Sequence, residues 1–160
     1  MSTQKNAGFT LLEMLITVAV LSVLLALAVP YARNFLEIQR LKNAVETIAG
    51  DLQYARSESI KRNLAVSVTF TTSGATWSYT AAPSLWTTKN NTPFGGIRMN
   101  SVTFAGQSVL FEPVRGTANA GQILMTTSDS ATQLRISVSI LGQLSTCTVS
   151  SGTVGGYAPC

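Results

Sequence analysis

The sequence predicts an α+β protein in which one long N-terminal helix packs on an antiparallel β head. Three observations carry this. Residues 9–29 are apolar or small throughout, apart from Glu13. Residues 38–55 repeat apolar side chains at helical spacing. From Leu64 onward the hydrophobic period changes to two.

The first element is the run FTLLEMLITVAVLSVLLALAV, residues 9–29. A helix of this length spans about 30 Å, the thickness of a bilayer's hydrocarbon core. Glu13 near its start is costly in lipid and calls for a partner. Upstream lies a short polar leader, MSTQKNAG, whose only charged side chain is Lys5. The residues leave three readings open. The leader 1–8 is removed after Gly8, which puts a new cationic amine on Phe9, one helical turn from Glu13. Alternatively the run is an ordinary secretory signal, cut near Ala26-Leu27-Ala28. Or it is an uncleaved anchor. The helical pattern continues past Ala28, and Pro30 lies just beyond that second cut, which favours the first. On that reading Glu13 meets the Phe9 amine of a neighbouring parallel helix. Each charge offsets the other's desolvation, and wrong registers leave one unpaired.

Residues 30–63 continue the helix. Pro30 is expected to bend it rather than end it. Ile38, Leu41, Val45, Ile48, Leu52 and Ala55 form one apolar stripe, suited to packing on the chain's own head. Arg40, Lys42, Glu46, Asp51, Arg56, Glu58, Lys61 and Arg62 lie off it and read as a solvated face. Lys42–Glu46 and Glu58–Arg62 are spaced as i,i+4 pairs. Asn63 is the expected stop.

Residues 64–160 form the head. Strands are expected at 65–71, 75–81, 96–100, 108–112, 122–127, 133–140 and 143–149. Val66, Val68 and Phe70 alternate with Ser67 and Thr69, and Leu134, Ile136, Val138 and Ile140 alternate with Arg135, Ser137 and Ser139. That is the pattern of strands with one buried and one wet face. Ser73-Gly74 and Leu141-Gly142 look like hairpin turns. Pro83 to Gly96 is the longest irregular stretch and reads as surface. Trp77 and Trp86 read as core or loop-packing aromatics.

A length of 160 residues suits one compact domain plus the helix. Only 11% of residues are charged and the formal net charge is +4; from Leu64 onward Lys89, Arg98, Arg115 and Arg135 stand against Glu112 and Asp129, too weak a balance to demand an anionic partner. Lys89, Arg115 and Arg135 are the candidate nucleic-acid contacts, on a surface where scattered charges are usually just solvated. Cys147 and Cys160 are the two cysteines. In an oxidising compartment they could close a loop of about fourteen residues, worth about 3 kcal/mol; two unpaired thiols are the alternative. The chain holds no histidine, so a Ser-His-Asp triad, a Cys-His pair and a histidine-bearing zinc site are excluded. No metal or cofactor is called for.

Gly8-Phe9-Thr10-Leu11-Leu12-Glu13 resembles the class III signal of type IV pilins and type II secretion pseudopilins, and Pro30 falls where their helices commonly kink. Residues 52–63, LQYARSESIKRN, and Phe111-Glu112-Pro113-Val114-Arg115-Gly116 are similar to stretches of the GspH/FimT/FimU group. The resemblance implies cleavage after Gly8 by a prepilin peptidase, N-methylation of Phe9, and a head of two packed antiparallel sheets. It also implies residence in the bacterial inner membrane, single-pass with a periplasmic head, before entry into a surface filament. The implied partners are other major and minor pilins or pseudopilins, an inner-membrane assembly platform, and lipid before assembly. The implied role is a minor pilin in assembly or at a tip, with adhesion, twitching or DNA uptake among the roles of such subunits. A minor pseudopilin of a type II secretion system is the alternative, and a DNA-binding minor pilin a second one. Some DNA-uptake members carry Gly-Arg-x-Arg late in the chain. Here the matching segment is Gly142-Gln143-Leu144-Ser145, and both guanidinium groups needed for phosphate are missing.

Overall fold

A computed structural model describes residues 9–149 and 154–160, without the side chains of residues 28–32. The order is one helix, α1 (Leu11–Arg62), then β1 (Val66–Ser73), β2 (Thr76–Ala82), β3 (Lys89–Asn90), β4 (Arg98–Val102), β5 (Ser108–Phe111), β6 (Gly121–Thr126), β7 (Gln133–Val138) and β8 (Leu144–Thr148). All seven expected strands form. β3 was not foreseen, because two residues are too few to show a period. The chain divides into two compact units, residues up to Leu36 and Glu37–Cys160.

In the first unit α1 starts at Leu11 because Thr10 caps it. Thr10 Oγ1 accepts the Glu13 N–H at 3.2 Å, and the Thr10 carbonyl accepts the Met14 N–H at 3.2 Å. Thr10-x-x-Glu13 is the spacing of a capping box, with an acid in the helix's first turn. The helical backbone runs on through Pro30, whose side chain lies outside the described residues. Among the described residues no helix is long and apolar enough to cross a membrane; the described side chains of the apolar run stop at Leu27.

In the second unit the helix packs on two four-stranded antiparallel sheets, with strand orders β3-β2-β1-β5 and β4-β6-β7-β8. The predicted stripe supplies the core: Leu41, Val45, Ile48, Leu52 and Ala55 are buried, and Ile38 packs against them. They meet Val66, Val68, Phe70 and Phe111 from one sheet and Ile123, Met125, Leu134 and Ile136 from the other. The helix ends as expected at Asn63, which takes φ 50°. Leu64 N–H donates to Ser59 O at 3.1 Å and Asn63 N–H to Ile60 O at 3.3 Å, the paired bonds of a Schellman cap. The free edge of β5 is closed by a side chain: Asn119 accepts the Leu110 N–H at 2.6 Å and donates to Ser108 O at 2.8 Å. Such an amide stands in for a missing strand and blunts edge pairing.

The polar side of α1 departs from expectation, since several of its charges bind the head instead of facing water. Ser128 donates to Glu37 at 2.6 Å, Lys42 to Gly155 O at 2.5 Å, and Tyr157 to Glu46 at 3.1 Å. The expected Lys42–Glu46 pair therefore does not form, because each partner is engaged across the fold. Glu58–Arg62 does form, at 2.6 Å, with Lys61 joining at 3.4 Å. These cations hold the Glu58 carboxyl below its ordinary range, the Arg62 hydrogen bond contributing most.

Candidate functional site

The first unit carries the residues expected to act in assembly, Phe9, Glu13 and Pro30. Every described side chain from Phe9 to Leu27 is exposed, and Phe9 itself is 81% exposed. A bare apolar surface of this extent marks a partner or a lipid phase. Glu13 is the single acid within it, and among the described residues it makes no ion pair. Gly8, after which cleavage is expected, lies outside the described residues. Thr10 was missed as a functional residue, although the T-x-x-E spacing was visible in the sequence. It fixes the first turn of α1, and with it the place from which Glu13 projects.

The candidate nucleic-acid residues are not gathered together. Lys89 belongs to β3 and is already neutralised, since Asp51 holds it at 2.7 and 2.8 Å. Its ammonium lies 5.5 Å from the Trp86 ring centre. Arg135 lies on β7 of the other sheet, opposite Leu124 and Cys147, and Arg115 is exposed in the turn after β5. Three cations on three elements make no phosphate track.

Asp51 is a second residue that sequence reasoning passed over. It takes the Tyr79 hydroxyl at 2.5 Å along with Lys89. Burial, and then that hydrogen bond, push the Tyr79 hydroxyl well above the usual phenol range. Trp86 packs between Tyr54 and Tyr79, with ring centres 6.3 Å from each. The 83–96 stretch is thus tied to α1. Trp77 is in the core, as expected, and its Nε1 donates to Ile97 O at 3.0 Å.

At the other end of the helical segment Arg56 joins two turns. Nε donates to Gly116 O at 3.0 Å and Nη2 to Leu141 O at 3.1 Å. Gly142 follows at φ 69°, where an added Cβ would run into the Gly116 carbonyl. The Gly142–Ser145 segment therefore packs against an arginine from the helix while carrying none itself. Cys147 and Cys160 are joined as a disulfide. The tail is laid along the end of β8, with Thr148 N–H donating to Ala158 O at 2.9 Å and Cys160 N–H to Thr148 O at 3.1 Å.

Residues 44–142 match the family described as Type II transport protein GspH. Residues 3–29 match the prokaryotic N-terminal methylation motif. No curated protein and no solved structure matches the chain.

Proposed function

Because the chain belongs to the GspH family and is a subunit of the minor pilin and pseudopilin class, we propose that it is a minor type IV pilin of the FimT/FimU kind. On this reading it is a structural subunit and not an enzyme. A prepilin peptidase removes residues 1–8 after Gly8, and the Phe9 amine is methylated. The subunit waits in the inner membrane with its head in the periplasm, and an assembly platform then lifts it into a filament among other pilins. Residues 9–29 pack in the filament interior, and residues 30–63 carry the head.

One observation supports this most: a lone carboxylate, Glu13, without an ion partner among the described residues, at the capped start of an apolar run whose described side chains, Phe9 to Leu27, are all exposed. In a low-dielectric interior such a charge needs a cation. The amine released on Phe9 of an adjacent subunit supplies it. The register of the two helices is then set by electrostatics, and the apolar side chains supply the attraction.

The name of the matched family supports a second reading, a minor pseudopilin of a type II secretion system, with the same roles for Gly8, Phe9 and Glu13. Deleting the gene separates the two. Loss of surface filaments with protein secretion intact is expected for the pilin. Loss of exoprotein secretion with filaments intact would establish the pseudopilin instead. DNA reception is not part of this reading, given the dispersion of Lys89, Arg115 and Arg135. A gel shift at physiological salt with the purified chain is expected to show no complex.

A further inference from the structure

At one end of the β4-β6-β7-β8 sheet lies a groove of about 740 Å³, within the range of small-molecule sites. Its lining is mostly amides and hydroxyls, with Ala120, Gly121, Val138 and Leu144 between them. Gln122, Ser137 and Ser145 stand opposite one another on three adjacent strands. Thr103 extends the row, its N–H donating to Gln122 O at 2.9 Å. Gln53 from α1 and Gln143 from the β7–β8 turn complete the walls. Among the described residues, the side chains of Gln53, Gln122, Ser137, Gln143 and Ser145 make no hydrogen bond. Among the described residues no carboxylate lines the groove, and the one cation there, Arg56, is engaged with two backbone carbonyls.

We infer that this groove binds a neutral carbohydrate. Amides and hydroxyls each offer both a donor and an acceptor, and a sugar hydroxyl asks for both. Neighbouring strands repeat at about 4.8 Å, close to the advance of one pyranose unit along an extended glycan. The row can therefore address successive sugars. The sheet fixes the row in advance, so little ordering is needed on binding. An anionic polymer would need several unengaged cations here, and the groove offers none.

The test uses the full-length chain, purified in a detergent without a sugar headgroup. The probes are neutral oligosaccharides built on glucose, galactose, mannose or N-acetylglucosamine, set beside a sulfated glycan, duplex DNA and an extended peptide. Saturable binding of a neutral glycan is expected. The double variant Gln122→Ala, Gln143→Ala alters two side chains that make no hydrogen bond among the described residues. It should weaken binding about tenfold or more with the thermal midpoint unchanged. The inference is overturned if no neutral glycan binds saturably, if the double variant binds as before, or if only the sulfated glycan, DNA or peptide binds. Because binding is read on the purified chain, failure here leaves filament assembly untouched, and a failure to assemble leaves this test intact.

Discussion

Glu13 answers to two demands that one substitution cannot separate. It occupies the third position of a Thr10-capped helix, where an acid suits the helix dipole. It is also the only charge in the described apolar run. A capping-box position accepts Gln as readily as Glu, so Glu13→Gln keeps the cap chemistry and removes the charge. The proposed pairing requires Glu13→Gln and Glu13→Ala to be processed normally and to enter filaments poorly, as read by immunoblots of sheared filaments. Normal incorporation of Glu13→Gln would leave Glu13 with the capping role alone. Thr10→Ala removes the cap and should cost the isolated helix about 1 kcal/mol, without the register defect. The motif around Glu13 was legible from the sequence because its chemistry is local. Thr10 escaped notice because the same residues carry a second, overlapping signal.

On α1 the apolar face was legible and the polar partners were not. Periodicity reports which side of a helix is buried. It says nothing of what a charge on the other side will meet. Arg56 finds its carbonyls 60 and 85 residues away, and Asp51 finds Lys89 after 38. Only the fold creates these pairings. Arg56→Ala should therefore cost about 2 kcal/mol by leaving two turn carbonyls without their charged donor. Gly142→Ala should cost at least as much, about 2 kcal/mol or more, because it adds both a strained φ and a backbone clash. Urea unfolding checks both, and a loss below about 0.5 kcal/mol in either would show the latch between the two turns to be incidental. The strands were legible for the opposite reason, since a half-buried strand writes its period of two directly into the chain. The neutral groove was not legible, because its residues come from α1, three strands, the β7–β8 turn and the segments flanking β4 and β6.

At the scale of the whole molecule, stability should fall at both ends of the pH range. The Glu58 and Asp129 carboxyls are held low in the fold, the first by Arg62 and Lys61, the second by the Thr127 hydroxyl and the Ala131 N–H. Their contribution is present above their unfolded values near 4 and is lost as pH falls through the lower folded ones. The Tyr157 hydroxyl is pushed up to about 12 by burial and then by Glu46, and Tyr79 goes higher still. Their contribution is complete below about pH 10 and declines above it, most of the Tyr157 part by about 12. Absorbance titration should show late-ionising tyrosines, one fewer in Tyr157→Phe. Reducing the Cys147–Cys160 bond, or Cys160→Ser, should cost about 3 kcal/mol through the freed tail. All these concern the second unit, Glu37–Cys160. Assembly turns on the first, where proteolysis is proposed to give Glu13 its counterion. The most direct measurement is the N-terminal mass of the protein recovered from sheared surface filaments. The expected species begins at Phe9 and carries one methyl on its amine, and Gly8→Ala should abolish it. A chain beginning at Met1, or one beginning beyond Ala28, would contradict the account.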